Sequence, residues 1–248
     1  MKSPVVPQGF RTLHKPTETW WIKEGWEQVF PSCLQDVWTP PITAAPITGG
    51  RGVVQRVPLS DGGQAIIRRY RRGGFVRHFI QDAYWDRPFR PFAELTCTET
   101  ARQRGVPTVE VLAAGVKHRA LGVYQGVFIS REATGFKNLR EWLQTKPTLT
   151  ERKPTMETIA RTIAQLHAAG ILHTDLNLTN ILVRTADSTA EALIIDFDKA
   201  QIFPTVLPEH HRKKVLHRLQ RSLDKLDPHQ QFVSLAEREI FCRDYAKL

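Results

Sequence analysis

Two apolar runs in the second half of the chain constrain its fold most: "ILHTDLNLTNILV", residues 171–183, and "ALIIDFDKA", residues 192–200. Both have the composition of buried strands, and both carry acidic residues. They follow "TMETIARTIAQLHAAG", where Ile159, Ile163 and Leu166 fall at i, i+4 and i+7 and Gly170 closes the pattern. That spacing predicts one buried stripe on a long helix. Upstream the pattern is different. Val53–Val57 and Gln64–Tyr70, separated by "LSDGG", read as a hairpin. A helix fits near Pro91–Arg104, ended by Gly105 and Pro107, and strand patterns return in "TVEVLAAGV" and "GVYQGVFIS". Strands first and helices later imply an α+β chain in two lobes.

The ends of the chain are less regular. Residues 1–46 are rich in Pro and Trp, with Trp20, Trp21, Trp26 and Trp38. These rings either pack over a neighbouring domain or sit at a bilayer interface. The tail "HRKKVLHRLQRSLDKL" places Val215/Leu216, Leu219, Leu223 and Leu226 on one face and cations on the other, an amphipathic helix.

A chain of 248 residues can bury a full core. Its net charge of +10 calls for an anionic partner: nucleic acid, a phospholipid surface or a phosphorylated metabolite. No dedicated RNA- or DNA-binding motif accompanies that charge, so nucleic acid is not expected. Cys33, Cys97 and Cys242 are too far apart for a metal-ligand spacing and fit a reducing compartment. The N-terminus lacks the apolar stretch of a signal peptide, and no run of about 18 apolar residues predicts a membrane span. Any membrane contact is expected to be peripheral.

In "HTDLNLTN", Asp175 precedes Asn180 by five residues, and Asp196 follows an Ile-Ile run further on. Phosphoryl transfer asks a protein for little covalent chemistry. It needs an acceptor oxygen positioned in line and charge neutralised on the phosphates. A carboxylate at Asp175 can take the acceptor hydroxyl's proton. The Asn180 amide oxygen and the Asp196 carboxylate can hold a divalent cation against phosphate oxygens, and Mg²⁺ prefers such a sparse set of hard ligands. Taken singly, each of these residues could equally cap a turn or end a strand.

With these residues in this order, the chain resembles the protein-kinase-like superfamily. His173-x-Asp175 looks like the catalytic loop and Asp196-Phe197-Asp198 like the metal-binding motif. The resemblance implies a bilobal fold: a small β-rich N-lobe with one key helix and a mostly helical C-lobe. The expected division is an extension over 1–46 (packing on the N-lobe or facing a membrane), an N-lobe over 47–131 and a C-lobe over 132–248. It also implies a lysine on the third strand, paired with a glutamate on the next helix. No lysine occurs between Lys23 and Lys117. The matching strand reads "AIIRRY". Arg68, on the face of Ile66, is the candidate for the phosphates, and Arg69 would point to the other face. Glu94 is the expected partner, with Glu99 second. In the glycine-rich turn Gly50 and Gly52 are present, but Gln55 stands where a third glycine is usual.

A narrower resemblance accounts for these departures. "GGRG", "IIRRYRRGG", "FAEL", "RGVPTVEV", "HTDLNLTNIL", "IIDFDKA" and "RLQRSLDKL" together look like the 3-deoxy-D-manno-octulosonic acid (Kdo) kinase family, itself similar to lipopolysaccharide core kinases. It implies Mg²⁺- and ATP-dependent phosphorylation of a Kdo residue, at its 4-hydroxyl, on a lipid A precursor. Arg71, Arg72 and Arg77 would face that anionic acceptor. The basic tail helix could rest on the anionic inner leaflet, making this a peripheral protein on the cytoplasmic side of a bacterial inner membrane. Another hydroxyl acceptor (heptose, aminoglycoside or protein) keeps the same machinery, and a non-catalytic nucleotide- or lipid-binding scaffold would explain the missing lysine. Thr174 stands where protein kinases carry an arginine, so no cation waits there for a phosphorylated activation segment. Asp198 reads as a cap or as a second metal ligand.

Overall fold

The computed structural model describes residues 5–27, 37–38, 54–70, 89–119, 123–186 and 189–246. Its contacts divide the chain into two compact units, residues 1–99 with 109–132 and residues 100–108 with 133–248. The first is sheet-rich and the second helix-rich, as the order of sequence patterns predicts.

In the first unit, β1 (Phe10–Lys15), β2 (Glu18–Lys23), β3 (Val54–Pro58), β4 (Gln64–Arg69), β5 (Val111–His118) and β6 (Tyr124–Arg131) form one antiparallel sheet in the order β1-β2-β5-β6-β4-β3. The helix α1 (Arg90–Gln103) begins within the same unit. The predicted hairpin is β3–β4, with Val54 opposite Arg68. Its turn needs glycine: Gly62 has φ +81°, and the Gly63 N–H donates to Asp61 Oδ1 at 3.0 Å. Arg131 then holds that turn through Asp61 at 2.7 Å and Glu110 at 2.8 Å.

The described part of the N-terminal segment supplies two strands of this sheet. Trp20 and Trp21 are neighbours in β2, so their rings go to opposite faces. Trp20 joins Ile22, Ile67, Leu112 and Ile129 on one face, with its ring 5.3 Å from that of Trp38. Gly115 makes room for it, because a Cβ there would lie 2.5 Å from the indole. Trp21 stacks on Phe92 of α1 at 4.3 Å on the other face. Both rings are buried in protein, which supports packing as their role.

The second unit contains α2 (Leu139–Gln144), α3 (Leu149–Ala168), α4 (Glu209–Leu226) and α5 (Leu235–Ala246). With them are a three-stranded sheet, β10 (Thr189–Ile194), β9 (Ile181–Ala186) and β7 (Lys137–Asn138), and a short pair, β8 (Ile171–Leu172) with β11 (Gln201–Ile202). Helix α3 begins ahead of its apolar stripe because Thr148 and Glu151 form a reciprocal capping box. It buries Ile159, Ile163 and Leu166 against β10 and α5. Gly170, at φ +70°, turns the chain out of the helix; a Cβ there would lie 2.3 Å from the Thr205 carbonyl. Helix α5 has no clear apolar period and is not predicted from sequence. Asp227, buried between α4 and α5, explains how it is positioned. Its carboxylate accepts the N–H groups of Gln231, Phe232 and Val233 at 2.6, 3.0 and 2.9 Å. Among the described residues no helix is long and apolar enough to cross a membrane.

Candidate active site

Strand alternation sends the two arginines of β4 to opposite faces. Burial along Gln64–Arg69 alternates, with Ala65, Ile67 and Arg69 inward. Arg69 donates to the Val37 carbonyl and, at 2.7 Å, to the side-chain oxygen of Gln55. Arg68 points the other way and places Nη2 against both carboxylate oxygens of Glu94 on α1. Tyr70, two residues on and therefore on the Arg68 face, donates its hydroxyl to the same carboxylate. The Arg68 guanidinium lies 5.0 Å from the Tyr70 ring centre and 5.5 Å from that of Phe128. Glu94 is only 1% exposed while Arg68 is 28% exposed, so the carboxylate anchors and the cation reaches solvent.

In the second unit, antiparallel pairing explains the spacing of the acidic motifs. Ile181, the first residue of β9, pairs with Ile194, the last of β10. Asn180 and Asp196 therefore leave the hairpin at the same end, and the Ile195 N–H donates to the Asn180 carbonyl at 3.0 Å. The Asn180 amide nitrogen donates to the Asp175 carbonyl at 3.0 Å, which leaves its Oδ1 as the atom suited to a cation. Asn177 fixes the intervening turn: its Oδ1 accepts the Thr179 N–H at 2.8 Å, and its Nδ2 donates to the same Asp175 carbonyl at 2.8 Å. The backbone at Asp175 is thereby held from two directions.

Two further bonds join this loop to the Asp196 segment. His173 Nε2 donates to the Ile195 carbonyl at 3.0 Å, and Thr174 Oγ1 donates to the Lys199 carbonyl at 3.0 Å. Burial pushes the His173 imidazolium below its usual range, so the ring is a neutral brace. Phe197, buried, packs 5.3 Å from it. Asp196 itself has φ +68°, a left-handed conformation costing a non-glycine residue on the order of 1 kcal/mol or more. The bonds at Ile195 and Lys199 on either side hold it there. Asn180 and Asp196 offer one amide and one carboxylate oxygen donor, a set that fits Mg²⁺ completed by phosphate and water. Among the described residues no three His, Cys, Asp or Glu side chains gather as a metal site of their own.

The Asp175 carboxylate has a partner from far along the chain. Arg218 of α4 contacts Asp175 Oδ1 through Nη2. The next turn of α4 touches the loop as well, with the Leu178 N–H at 3.4 Å from Ser222 Oγ. This corrects the expectation that the cations of the tail helix all face away from its apolar stripe. Val215 and Leu219 are buried as predicted, but Arg218 lies on the loop side and Arg212 is half-buried beside His167 and Tyr245. Lys213, Lys214, Arg221 and Lys225 remain exposed.

Residues 48–246 match the lipopolysaccharide kinase (Kdo/WaaP) family. The chain belongs to that family. It is 32% identical over 179 residues to a 3-deoxy-D-manno-octulosonic acid kinase of Vibrio cholerae, covering 71% of this chain and 72% of the relative. It is 34% identical over 179 residues to the kinase of the same name from Vibrio vulnificus strain YJ016, covering 71% of each. Among solved structures, WaaP in complex with acyl carrier protein superposes with a TM-score of 0.63 at 17% identity, covering 92% of this chain and 89% of that one. That likeness establishes the protein-kinase-like α+β fold.

For this family member, the structure brings Arg68 to Glu94 and gathers Asp175, Asn180 and Asp196 around one hairpin end. Glu99, the second choice as partner, is buried elsewhere on α1. Gly50, Gly52, Arg71, Arg72 and Arg77 lie outside the described residues. Sequence reasoning missed Tyr70 and Arg218. Tyr70 could have been found from its two-residue offset to Arg68, whereas no local spacing points from Asp175 to Arg218.

Proposed function

We propose that this kinase transfers the γ-phosphoryl group of ATP to a Kdo residue, at its 4-hydroxyl, on a lipid A precursor. The observation that carries this reading is the hairpin end where Asn180 and Asp196 emerge beside the Asp175 loop. A non-catalytic scaffold has no need of that arrangement. Asp175 accepts the proton of the attacking hydroxyl as its oxygen bonds to the γ-phosphorus. The bond from phosphorus to the β,γ-bridging oxygen breaks, and ADP leaves with that electron pair. Asn180 Oδ1 and Asp196 would hold Mg²⁺, which when bound neutralises charge on the phosphate oxygens. Arg68, oriented by Glu94 and Tyr70, supplies the permanent cation for the nucleotide phosphates in place of a lysine. Arg71, Arg72 and Arg77 follow β4 in sequence and suit an anionic acceptor.

The exposed Lys213, Lys214, Arg221 and Lys225 suit a peripheral seat on the anionic cytoplasmic leaflet, each worth on the order of 1 kcal/mol near the surface. Purified protein incubated with Mg-ATP and Kdo-bearing lipid A precursor tests the activity. Mass spectrometry is expected to show one added phosphate on the Kdo sugar. Intact ATP binding with no phosphorylated lipid would refute the acceptor assignment.

A further inference from the structure

Arg218 has more donors than its contact with Asp175 uses. A guanidinium carries five N–H groups in a rigid fork, and Asp175 engages Nη2 alone. Among the described residues Nε is buried with no hydrogen-bond partner, while the side chain as a whole is 43% exposed. The loop from His173 to Asn180 contains no lysine or arginine of its own. A hydroxyl that gives its proton to Asp175 must sit within about 3 Å of that carboxylate. A guanidinium bonded to the same carboxylate then lies roughly 5–6 Å from the attacking oxygen. Arg218 is therefore a cation fixed beside the acceptor, on the side of the base.

Resting on the Kdo reading, we infer that Arg218 is the binding site for the carboxylate of the acceptor sugar. In Kdo, one ring carbon separates the carbon bearing the carboxylate from the carbon bearing the 4-hydroxyl. An acceptor that presents its 4-hydroxyl to Asp175 thus brings its carboxylate close to the same spot. The remaining Nη donors of Arg218 can take it, and Arg–carboxylate pairing is strong and directional. Asp175 and Arg218 are 41% and 43% exposed, so their contact is a weak surface pair that a second carboxylate can share at little cost. Asp175 keeps its place when the arginine turns to substrate, because Asn177 and Asn180 hold its backbone.

The test compares Kdo-bearing lipid A precursor with its Kdo methyl ester, using wild-type protein, Arg218→Gln and Arg218→Lys. Wild type is expected to favour the acid over the ester by about a hundredfold in kcat/KM. Arg218→Gln should erase that preference by slowing the acid reaction far more than the ester reaction. Arg218→Lys should retain roughly a tenth of the preference, keeping charge without the fork. If either variant slows both acceptors equally, Arg218 serves only Asp175 or the phosphates, and the inference is overturned. Equal wild-type rates on acid and ester overturn it too, leaving the Kdo reading intact. No wild-type reaction with either acceptor removes both. A melting curve checks each variant; were Arg218→Gln unfolded, the Arg218→Lys preference alone would decide.

Discussion

Two arginine–carboxylate pairs, one in each unit, use the same chemistry under opposite conditions. In Arg68–Glu94 the carboxylate is 1% exposed, and it receives a second bond from Tyr70. In Asp175–Arg218 both side chains are more than 40% exposed. A buried carboxylate without its cation costs several kcal/mol, whereas an exposed pair is worth 1 kcal/mol or less. The first pair is a fixture that holds a cation in one orientation. The second is a contact that can be exchanged, which suits the role proposed for Asp175 as the base that meets an incoming hydroxyl. Burial of the carboxylate separates scaffold from working group.

The largest effect expected from this contrast is on turnover. Asp175→Asn should lower kcat by about 10²–10⁴-fold, the usual worth of a general base, while ATP binding and the melting temperature stay near wild type. A large fall in melting temperature would break the comparison by making Asp175 a structural residue. Arg68→Met should do the reverse in its own unit. Taking the guanidinium away from buried Glu94 is expected to cost about 3 kcal/mol, or roughly 6–12 °C in melting temperature. ATP binding should weaken at the same time. Differential scanning calorimetry and nucleotide titration on both variants separate the two outcomes.

How far the contrast could be read in the sequence depends on range. Period-two alternation along "AIIRRY" distinguishes Arg68 from Arg69, and the structure agrees because a strand obliges adjacent side chains to opposite faces. Asn180 and Asp196 were legible from motif spacing, and the hairpin register supplies the reason. The β1–β2 hairpin was hidden because Trp20 and Trp21 serve both faces of the sheet, so β2 shows no simple alternation. Arg218 was hidden for another reason: it lies 43 residues from Asp175, and the packing of α4 alone brings them together. In the sequence it is one more cation on a basic helix.

A pH scan measures stability that belongs to neither pair. His167, at the end of α3, shares a hydrogen bond with the Tyr245 hydroxyl at 2.6 Å and is 1% exposed. Burial, aided by the positive charge of Arg212, lowers its pKa from 6.5 to about 4. Between these values the unfolded chain binds the extra proton, so stability is greatest above about pH 6.5 and declines as pH falls toward 4. The expected loss is about 3 kcal/mol, with buried His173 adding to it in the same direction. Chemical denaturation of His167→Gln across that window should show a flatter profile. An unchanged slope would assign the acid sensitivity to groups other than His167.

The smallest predicted effect sharpens the comparison most. Tyr70→Phe deletes one hydroxyl donor to Glu94 and leaves the ring beneath the Arg68 guanidinium, 5.0 Å away. A hydrogen bond to a charged group is worth about 1.5–3 kcal/mol, but Arg68 still satisfies the carboxylate, so the lower figure is expected. The melting temperature should fall by roughly 3–6 °C, and the ATP affinity should change less than about threefold. In Arg68→Met the same substitution should cost more, because Tyr70 is then the donor left from β4. Such coupling is what a shared buried carboxylate produces. Additive losses would mean that Arg68 and Tyr70 act on Glu94 independently, and Glu94 would no longer count as the anchor of a three-residue unit.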